Sequence, residues 1–234
     1  MYMKKEIQYY LIHGPDGSRK QRMIDEFAKW GLDNNEVKWI LTPNKADIDD
    51  EFRKNVLCQE ESSDGVNVIP AGCGNVTNGQ VSCTYKHYLC IKDIVENGHE
   101  YGIIMEDNIF FTKDIPTAVE NYMNQLRKYY PDWDVVFDSK WRSYLNIDEG
   151  GTMDHIHVYP KYNEITARSF GSSRLAGFYI ITNKCATELY KHYIPFNHSP
   201  DWWMNILFRK LDTDVYWTEP AFTNEYPHVS TVYN

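Results

Sequence analysis

The sequence predicts an α/β fold. Three observations carry the prediction. Ile7-Gln-Tyr-Tyr-Leu-Ile12 is a short apolar run rich in β-formers, a dense turn cluster at Gly14-Pro15-Asp16-Gly17-Ser18 follows it, and a helical pattern then leads into a second run, Val37-Lys-Trp-Ile-Leu. Strand, helix, strand is the opening of a βαβ unit. At 234 residues the chain is read as one domain spanning 1–234, within the usual size range. A chain this long buries roughly 70–75% of its unfolded surface and needs no disulfide or metal staple to fold.

In order along the chain, Ser18 can cap a helix over residues 18–30, whose Met23, Phe27 and Trp30 form an apolar stripe. Gly31 stands where that helix stops, and Thr42-Pro43-Asn44 is the exit from the second strand. Asp47 to Val56 is helical, and Cys58 to Asn78, rich in Gly, Ser and Asn, is a long loop. Residues 79–97 read as a helix with Val81, Tyr85, Leu89 and Ile94 on one face and Gly98 as its C-cap. Tyr101-Gly-Ile-Ile-Met is a buried strand running straight into Glu106-Asp107-Asn108. A helix over 116–130 opens with Pro116, and Trp133-Asp-Val-Val-Phe is a strand ending in Asp138. Residues 139–175 read as irregular, Ala176–Thr182 as a strand, Cys185–Tyr193 and Pro200–Leu211 as helices, Val215–Trp217 as a strand, and Thr223–Asn234 as a polar, aromatic tail.

Composition excludes several classes. Apolar residues are 42% of the chain and aromatics 15%, too apolar for a disordered protein. The net charge of −9 argues against a nucleic-acid binder, which needs clustered Lys and Arg. No stretch approaches 18 apolar residues, and Met1-Tyr-Met-Lys-Lys-Glu-Ile lacks the apolar run of a signal peptide, so a cytoplasmic chain without a membrane span is expected. Cys58, Cys73, Cys83, Cys90 and Cys185 are odd in number and form no CxxC pair, which reads as reduced thiols, with one bridge among Cys58, Cys73 and Cys83 left open.

The strongest local signal is the acidic cluster at a strand end. In open α/β sheets ligands bind beyond the carboxyl ends of the strands. Glu106, Asp107 and Asn108 offer three adjacent oxygen-bearing side chains, suited to a hard divalent cation bridging to a diphosphate, or else to a turn that caps the next segment. The Gly-rich turn after the first strand is a second signal: it can offer backbone N–H groups to an anion, with Arg19, Lys20 and Arg22 in the helix behind it. It matches neither a Walker loop nor GxGxxG. His155 and His157 alternate along a strand-like stretch after Asp154, a metal-like spacing that exposed histidines in a polar loop explain as well. Cys83 and His87, four apart, form either a thiolate–imidazole pair on one helix face or a packed cysteine beside an unrelated histidine.

Several of these segments, taken in order, resemble glycosyltransferase family 25, the family of lipooligosaccharide sugar transferases and collagen galactosyltransferases. Gly79-Gln-Val-Ser-Cys83-Thr-Tyr-Lys-His87 resembles its Gly-x-x-Gly-Cys-x-x-Ser-His segment, and Tyr101-Gly-Ile-Ile-Met-Glu106-Asp107-Asn108 its Tyr-Ala-x-Ile-Leu-Glu-Asp-Asp. Trp133-Asp134-Val-Val-Phe, Tyr179-Ile-Ile-Thr182-Asn-Lys-Cys-Ala186-Thr-Glu-Leu189 and Ser199-Pro200-Asp201-Trp202 are similar to its later Trp-Asp, Tyr-x-Ile-Ser and Pro-x-Asp segments.

The resemblance implies a GT-A type fold, a Rossmann-like mixed sheet flanked by helices, with a nucleotide-sugar-binding half at 1–138 and an acceptor-binding half with a C-terminal tail at 139–234. It implies a UDP-sugar donor, Mn²⁺ or Mg²⁺, and a glycan or glycoprotein acceptor. Donor-binding residues by this analogy are His13, Gly14, Arg19, Asn44, His87, Glu106 and Asp107; metal ligands are Asp107, Asn108 and His228; the general base is Asp201. Trp202 and Trp203 beside it could stack on a sugar face, although a helix N-cap explains Asp201 too. The chain departs from the pattern at Asn108 in place of the last acid, Ser82 in place of the second Gly, and Lys86 in place of Ser. An amide oxygen coordinates without charge, so weaker metal binding is expected. Three readings follow: an inverting hexosyltransferase, a catalytically weak nucleotide-sugar or glycan-binding protein of the same fold, and a metal-dependent phosphoryl-transfer enzyme using Glu106, Asp107, His155 and His157.

Overall fold

The structure is a computed structural model and describes residues 7–58, 76–138, 155–158, 175–219 and 221–226. Its main sheet has seven strands: β1 (Ile7–Ile12), β2 (Val37–Ile40), β3 (Tyr101–Glu106), β5 (Val135–Phe137), β6 (His155–Val158), β7 (Phe178–Thr182) and β8 (Val215–Glu219), in the order β2-β1-β3-β7-β5-β8-β6. The pairs β1–β2, β1–β3 and β5–β8 are parallel; β3–β7, β5–β7 and β6–β8 are antiparallel. The expected mixed α/β sheet is therefore present, and it draws strands from both sides of residue 138. Strands β1, β3, β5 and β8 end at the same edge. There lie His13 after β1, Glu106 and Asp107 at the end of β3, and Asp138 after β5.

Alternation along the strands sorts the core into two layers. Tyr9 and Leu11 of β1 and Ile103 and Met105 of β3 pack with Met23 and Phe27 of α1 (Gly17–Lys29) and with α4 (Ile115–Tyr129). Tyr10, Ile12 and Ile104 face the opposite way, toward α2 (Asp50–Val56), α3 (Asn78–Asn97), α5 (Asn183–His192) and α6 (Pro200–Leu211). The helices start where short polar side chains satisfy the first N–H groups: Asp16 accepts from the Ser18 amide, Thr77 and Gln80 form a reciprocal capping box, and Thr182 accepts from the Cys185 amide. Gly98 ends α3 with a left-handed φ of 64°, as its position in the sequence predicts.

Gly102 sets how closely α3 lies on the sheet. A Cβ there would stand 2.1 Å from Ile94 Cδ1, so any larger residue requires the Ile94 side chain to shift. The face of α3 turned inward runs through Val81, Ser82, Lys86, His87, Cys90, Ile91 and Ile94 rather than through the expected stripe, because Tyr85 and Leu89 are only half-buried. Polar groups thus occupy the inward face near the helix start, at the sheet edge where the strands end.

A second, two-stranded sheet was not expected. β4 (Ile109–Phe111) pairs antiparallel with β9 (Thr223–Glu225), turning part of the expected tail into a strand. Asp138 fixes it in place. Its buried carboxylate accepts from the Tyr122 hydroxyl at 3.0 Å, the Phe222 amide at 3.2 Å, the Thr223 amide at 2.8 Å and the Thr223 hydroxyl at 2.6 Å, and also from the Thr218 hydroxyl. Among the described residues no helix is long and apolar enough to cross a membrane.

Candidate functional site

The strand ends, the turn into α1, the exit of β2 and the start of α3 enclose a cleft of about 290 Å³. His13, Gly14, Arg19, Asn44, Glu106, Asp107 and Asn108, seven of the residues singled out in the sequence, stand on its walls. Lys45, Ser82, Cys83 and Lys86 join them. This is where a parallel sheet leaves a crevice for ligands.

Asp107 organises the cleft. Its Oδ2 lies 2.7 Å from His13 Nδ1 and accepts from the Gly14 amide at 3.1 Å, and its Oδ1 accepts from Arg19 at 3.0 Å. Arg22 donates to its backbone carbonyl, and its own amide donates to Ile12 O at 3.1 Å. Burial pushes this carboxyl's pKa up, but His13, the Gly14 amide and the Arg19 charge more than offset that and hold it below the usual carboxylate range. The metal ligand expected at Asp107 is therefore a carboxylate whose two oxygens both already accept from protein donors. It clamps β1, β3 and α1 together.

Asn108 differs. Its Oδ1 is buried and has no hydrogen-bond partner among the described residues, while its backbone carbonyl accepts from the Tyr226 amide at 2.8 Å. A buried amide oxygen without a donor is expensive. Lys86, a departure from the family pattern, is a buried cation in the same cleft. Its Nζ donates to His13 O at 2.7 Å and to Asn44 Oδ1 at 3.2 Å. An ammonium has three donors, so one remains. Burial lowers its pKa, partly countered by Cys83, Asp107 and Asp47. Ser82, the other departure on α3, donates to Pro43 O at 2.6 Å and ties that helix to the β2 exit.

Glu106 sits deeper. Its Oε1 is 3.0 Å from His87 Nε2 and 3.6 Å from Cys83 Sγ, and His87 Nδ1 is 2.8 Å from the Tyr179 hydroxyl, whose ring stacks on the imidazole. Cys83 and His87 do share one helix face, and they converge on Glu106. Burial, with Glu106 adding to it, keeps the Cys83 thiol protonated well above its ordinary range.

Asp201 is not the N-cap of α6. Ser199 holds that position and donates its hydroxyl to Asp201 Oδ1 at 2.7 Å. Burial raises the Asp201 pKa, and the charge of Glu106 adds to the rise. Trp203 is unavailable to a sugar: it is buried, its indole N–H donates to Tyr193 O at 2.8 Å, and it stacks on His198. Trp202 is half-buried. Glu225 on β9 went unrecognised in the sequence. Burial and the charges of Glu106 and Asp201 push its carboxyl up to about 7, so three carboxylates from β3, α6 and β9 repel one another in one region.

The four described cysteines, Cys58, Cys83, Cys90 and Cys185, are free thiols. Cys73, Asp154 and His228 lie outside the described residues, as do the side chains of His155 and His157, whose backbone forms β6.

Comparison with known proteins adds the following. The family profile Glycosyltransferase family 25 (LPS biosynthesis protein) matches residues 15–204. Procollagen galactosyltransferase 1 of Danio rerio is 25% identical over 67 residues, which make up 29% of this chain and 11% of that protein. Among solved structures, A197 from STIV aligns over 91% of this chain and 81% of its own, at 9% identity and a TM-score of 0.46. A CMP:2-keto-3-deoxy-manno-octonic acid synthetase complexed with CTP aligns over 93% and 92%, at 10% identity and a TM-score of 0.43.

Proposed function

This chain belongs to glycosyltransferase family 25, and from that premise we propose that it moves a hexose from a UDP-sugar to a hydroxyl of a glycan or glycoprotein acceptor by an inverting displacement in a GT-A type site. The observation that carries the reading is the cleft at the carboxyl edge of β1 and β3. It combines a buried lysine, an arginine and the orphan oxygen of Asn108 on walls built from the family's acidic motif.

The roles follow from position. Lys86, Arg19 and Lys45 neutralise a diphosphate seated against the Gly14 turn, which supplies positive charge where the leaving group gains negative charge. His87, locked between Tyr179 and Glu106, orients the Glu106 carboxylate toward the nucleoside side. Asp201, with its pKa raised by burial, accepts the proton of the attacking hydroxyl, a task that suits a base held above the ordinary carboxylate range. Glu225 keeps that region acidic and shares its charge.

The donor set fits a hard cation weakly. Asn108 Oδ1 is the atom that would hold Mn²⁺ or Mg²⁺, with phosphate and water completing the shell, because Asp107 is committed to His13, Gly14 and Arg19. The cation's contribution, when bound, is to offset charge on the departing diphosphate. The same two observations favour the second reading, a binding protein that kept the fold while losing turnover.

Calorimetric titration with a panel of UDP-sugars, with and without Mn²⁺, tests the proposal. Selective binding of one UDP-sugar, with transfer or donor hydrolysis that Asp201→Asn abolishes while binding survives, is the expected result. Binding without turnover in any acceptor mixture selects the second reading. No binding of any nucleotide-sugar overturns the transferase reading and leaves of the second only a glycan-binding protein.

A further inference from the structure

Cys83, His87 and Glu106 present one sulfur, one nitrogen and one oxygen, all within 4.8 Å of one another, with Cys83 and Glu106 lining the cleft and His87 buried behind them. We propose that these three side chains form a zinc-class metal site, separate from any Mn²⁺ or Mg²⁺ held at Asn108, with its fourth coordination position open to the cleft.

The geometry is near to that of an occupied site. Around a tetrahedral zinc, with bonds of about 2.0–2.3 Å, ligand atoms stand roughly 3.3–3.7 Å apart. Of the contacts here, Cys83 Sγ to Glu106 Oε1 at 3.6 Å lies within that range, and His87 Nε2 to Glu106 Oε1 at 3.0 Å lies a few tenths of an ångström below it. Cys83 and His87 are four apart on α3, so one helix turn presents both ligands, and Gly102 lets that helix lie close enough to β3 for Glu106 to be the third. A thiol and an imidazole with one carboxylate select zinc or cobalt over manganese and magnesium, which prefer all-oxygen shells. Three protein ligands with an open position are the pattern of zinc sites that accept a ligand or water.

The outer shell is built as well. When His87 Nε2 binds the ion, its proton resides on Nδ1, which then donates to the Tyr179 hydroxyl 2.8 Å away and fixes the ring. The imidazole only exchanges tautomers, while the Cys83 thiol loses its proton to solvent. Loading therefore releases one proton per ion. A thiolate and the Glu106 carboxylate together balance the dication.

Cobalt is the probe, because a thiolate bound to Co²⁺ gives a near-ultraviolet charge-transfer band. The expected result is a band that saturates at one equivalent, persists in Cys58→Ser/Cys73→Ser, and is lost in both Cys83→Ser and Cys83→Ala. Zinc titration in buffers of different ionisation enthalpy should report one proton released per ion. Zinc should also protect Cys83 of the unmodified protein from alkylation, read by peptide mass spectrometry, which keeps the test alive if the variants fold poorly. No band in the unmodified protein, a band unchanged in Cys83→Ser, or Cys83 alkylated equally fast with and without zinc overturns the site. None of these readouts involves a sugar nucleotide, so the site stands or falls apart from the transferase reading.

Discussion

His13 Nδ1 at the end of β1 and Asp107 Oδ2 at the end of β3 lie 2.7 Å apart, both buried. With Arg19 on the other carboxylate oxygen, this contact joins two parallel strand ends to the first helix. The acid that the family resemblance offers to a metal also holds the cleft's walls together.

Asp107→Asn should therefore act first on stability. The amide keeps the shape but removes the charge facing buried Arg19, whose ion pair with Asp16 at 3.7 Å remains, so the loss at neutral pH should stay below the roughly 3 kcal/mol of a fully broken buried pair. The native carboxyl is held below its ordinary value of 3.8, so its contribution is present above that value and fades as the pH falls through the lower, folded one. Melting curves at pH 7 and pH 3 check this. The gap between wild type and variant should be wide at pH 7 and narrow at pH 3; an equal gap at both rules out the ionic origin.

Asn108→Asp places a charge at a buried cleft oxygen that has no partner among the described residues. Each added carboxylate strengthens a hard-cation site. Mn²⁺ should then tighten UDP-sugar binding about tenfold more than in wild type, a gain of about 1.4 kcal/mol. Calorimetry with and without Mn²⁺ reads the difference directly. An unchanged response would place the cation elsewhere.

Gly102→Ala pushes a methyl group to 2.1 Å from Ile94 Cδ1 in a fully buried layer. Overpacking of this kind costs about 1–3 kcal/mol. Ile94→Val removes Cδ1, the nearer of the two clashing carbons, so the double variant should be more stable than Gly102→Ala alone. A double-mutant cycle by chemical denaturation measures that coupling, and simple additivity would show that the clash is relieved by some other route.

Much of the scaffold could be read from the chain because it rests on local physics. The apolar strand runs, Gly98 at the end of α3 and Pro116 in the first turn of α4 are decided within a few positions of one another and appear where pattern places them, whereas the cap of α1 is Asp16 rather than Ser18. What escaped depends on distant partners. β4 and β9 are three residues each, too short for any period, and pair across more than a hundred positions. Glu225 was hidden for that reason, since nothing near it in sequence says that Glu106 and Asp201 will lie alongside. Likewise the inward face of α3 carries Ser82, Lys86 and His87, which an apolar template cannot see, although their spacing of four places Ser82 beside Lys86 and Cys83 beside His87. Trp203 misled in the other direction: an indole next to an acid suggested a sugar platform, and packing against His198 took it into the core.

Glu225 gives the sharpest pH test of the acidic region. Its folded pKa, about 7, stands above the ordinary 4.5, first through burial and then through Glu106 and Asp201. The folded chain therefore holds this proton more tightly than the unfolded chain does. The stability that goes with it is fully present below pH 4.5 and is lost as the pH rises through 7. Glu225→Gln mimics the protonated form at every pH. It should melt close to wild type at pH 4, and above wild type at pH 8 by roughly 2–4 °C, the equivalent of about 1 kcal/mol in a domain this size once partial solvent exposure is allowed for. A further variant, Glu225→Gln/Asp201→Asn, should gain less than the sum of the two single changes, because the Asp201 charge is part of what raises Glu225. Thermal scans across pH 4–8 for the four proteins decide the matter: full additivity, or a Glu225→Gln gain that does not grow with pH, would mean that the three carboxylates do not share one electrostatic site.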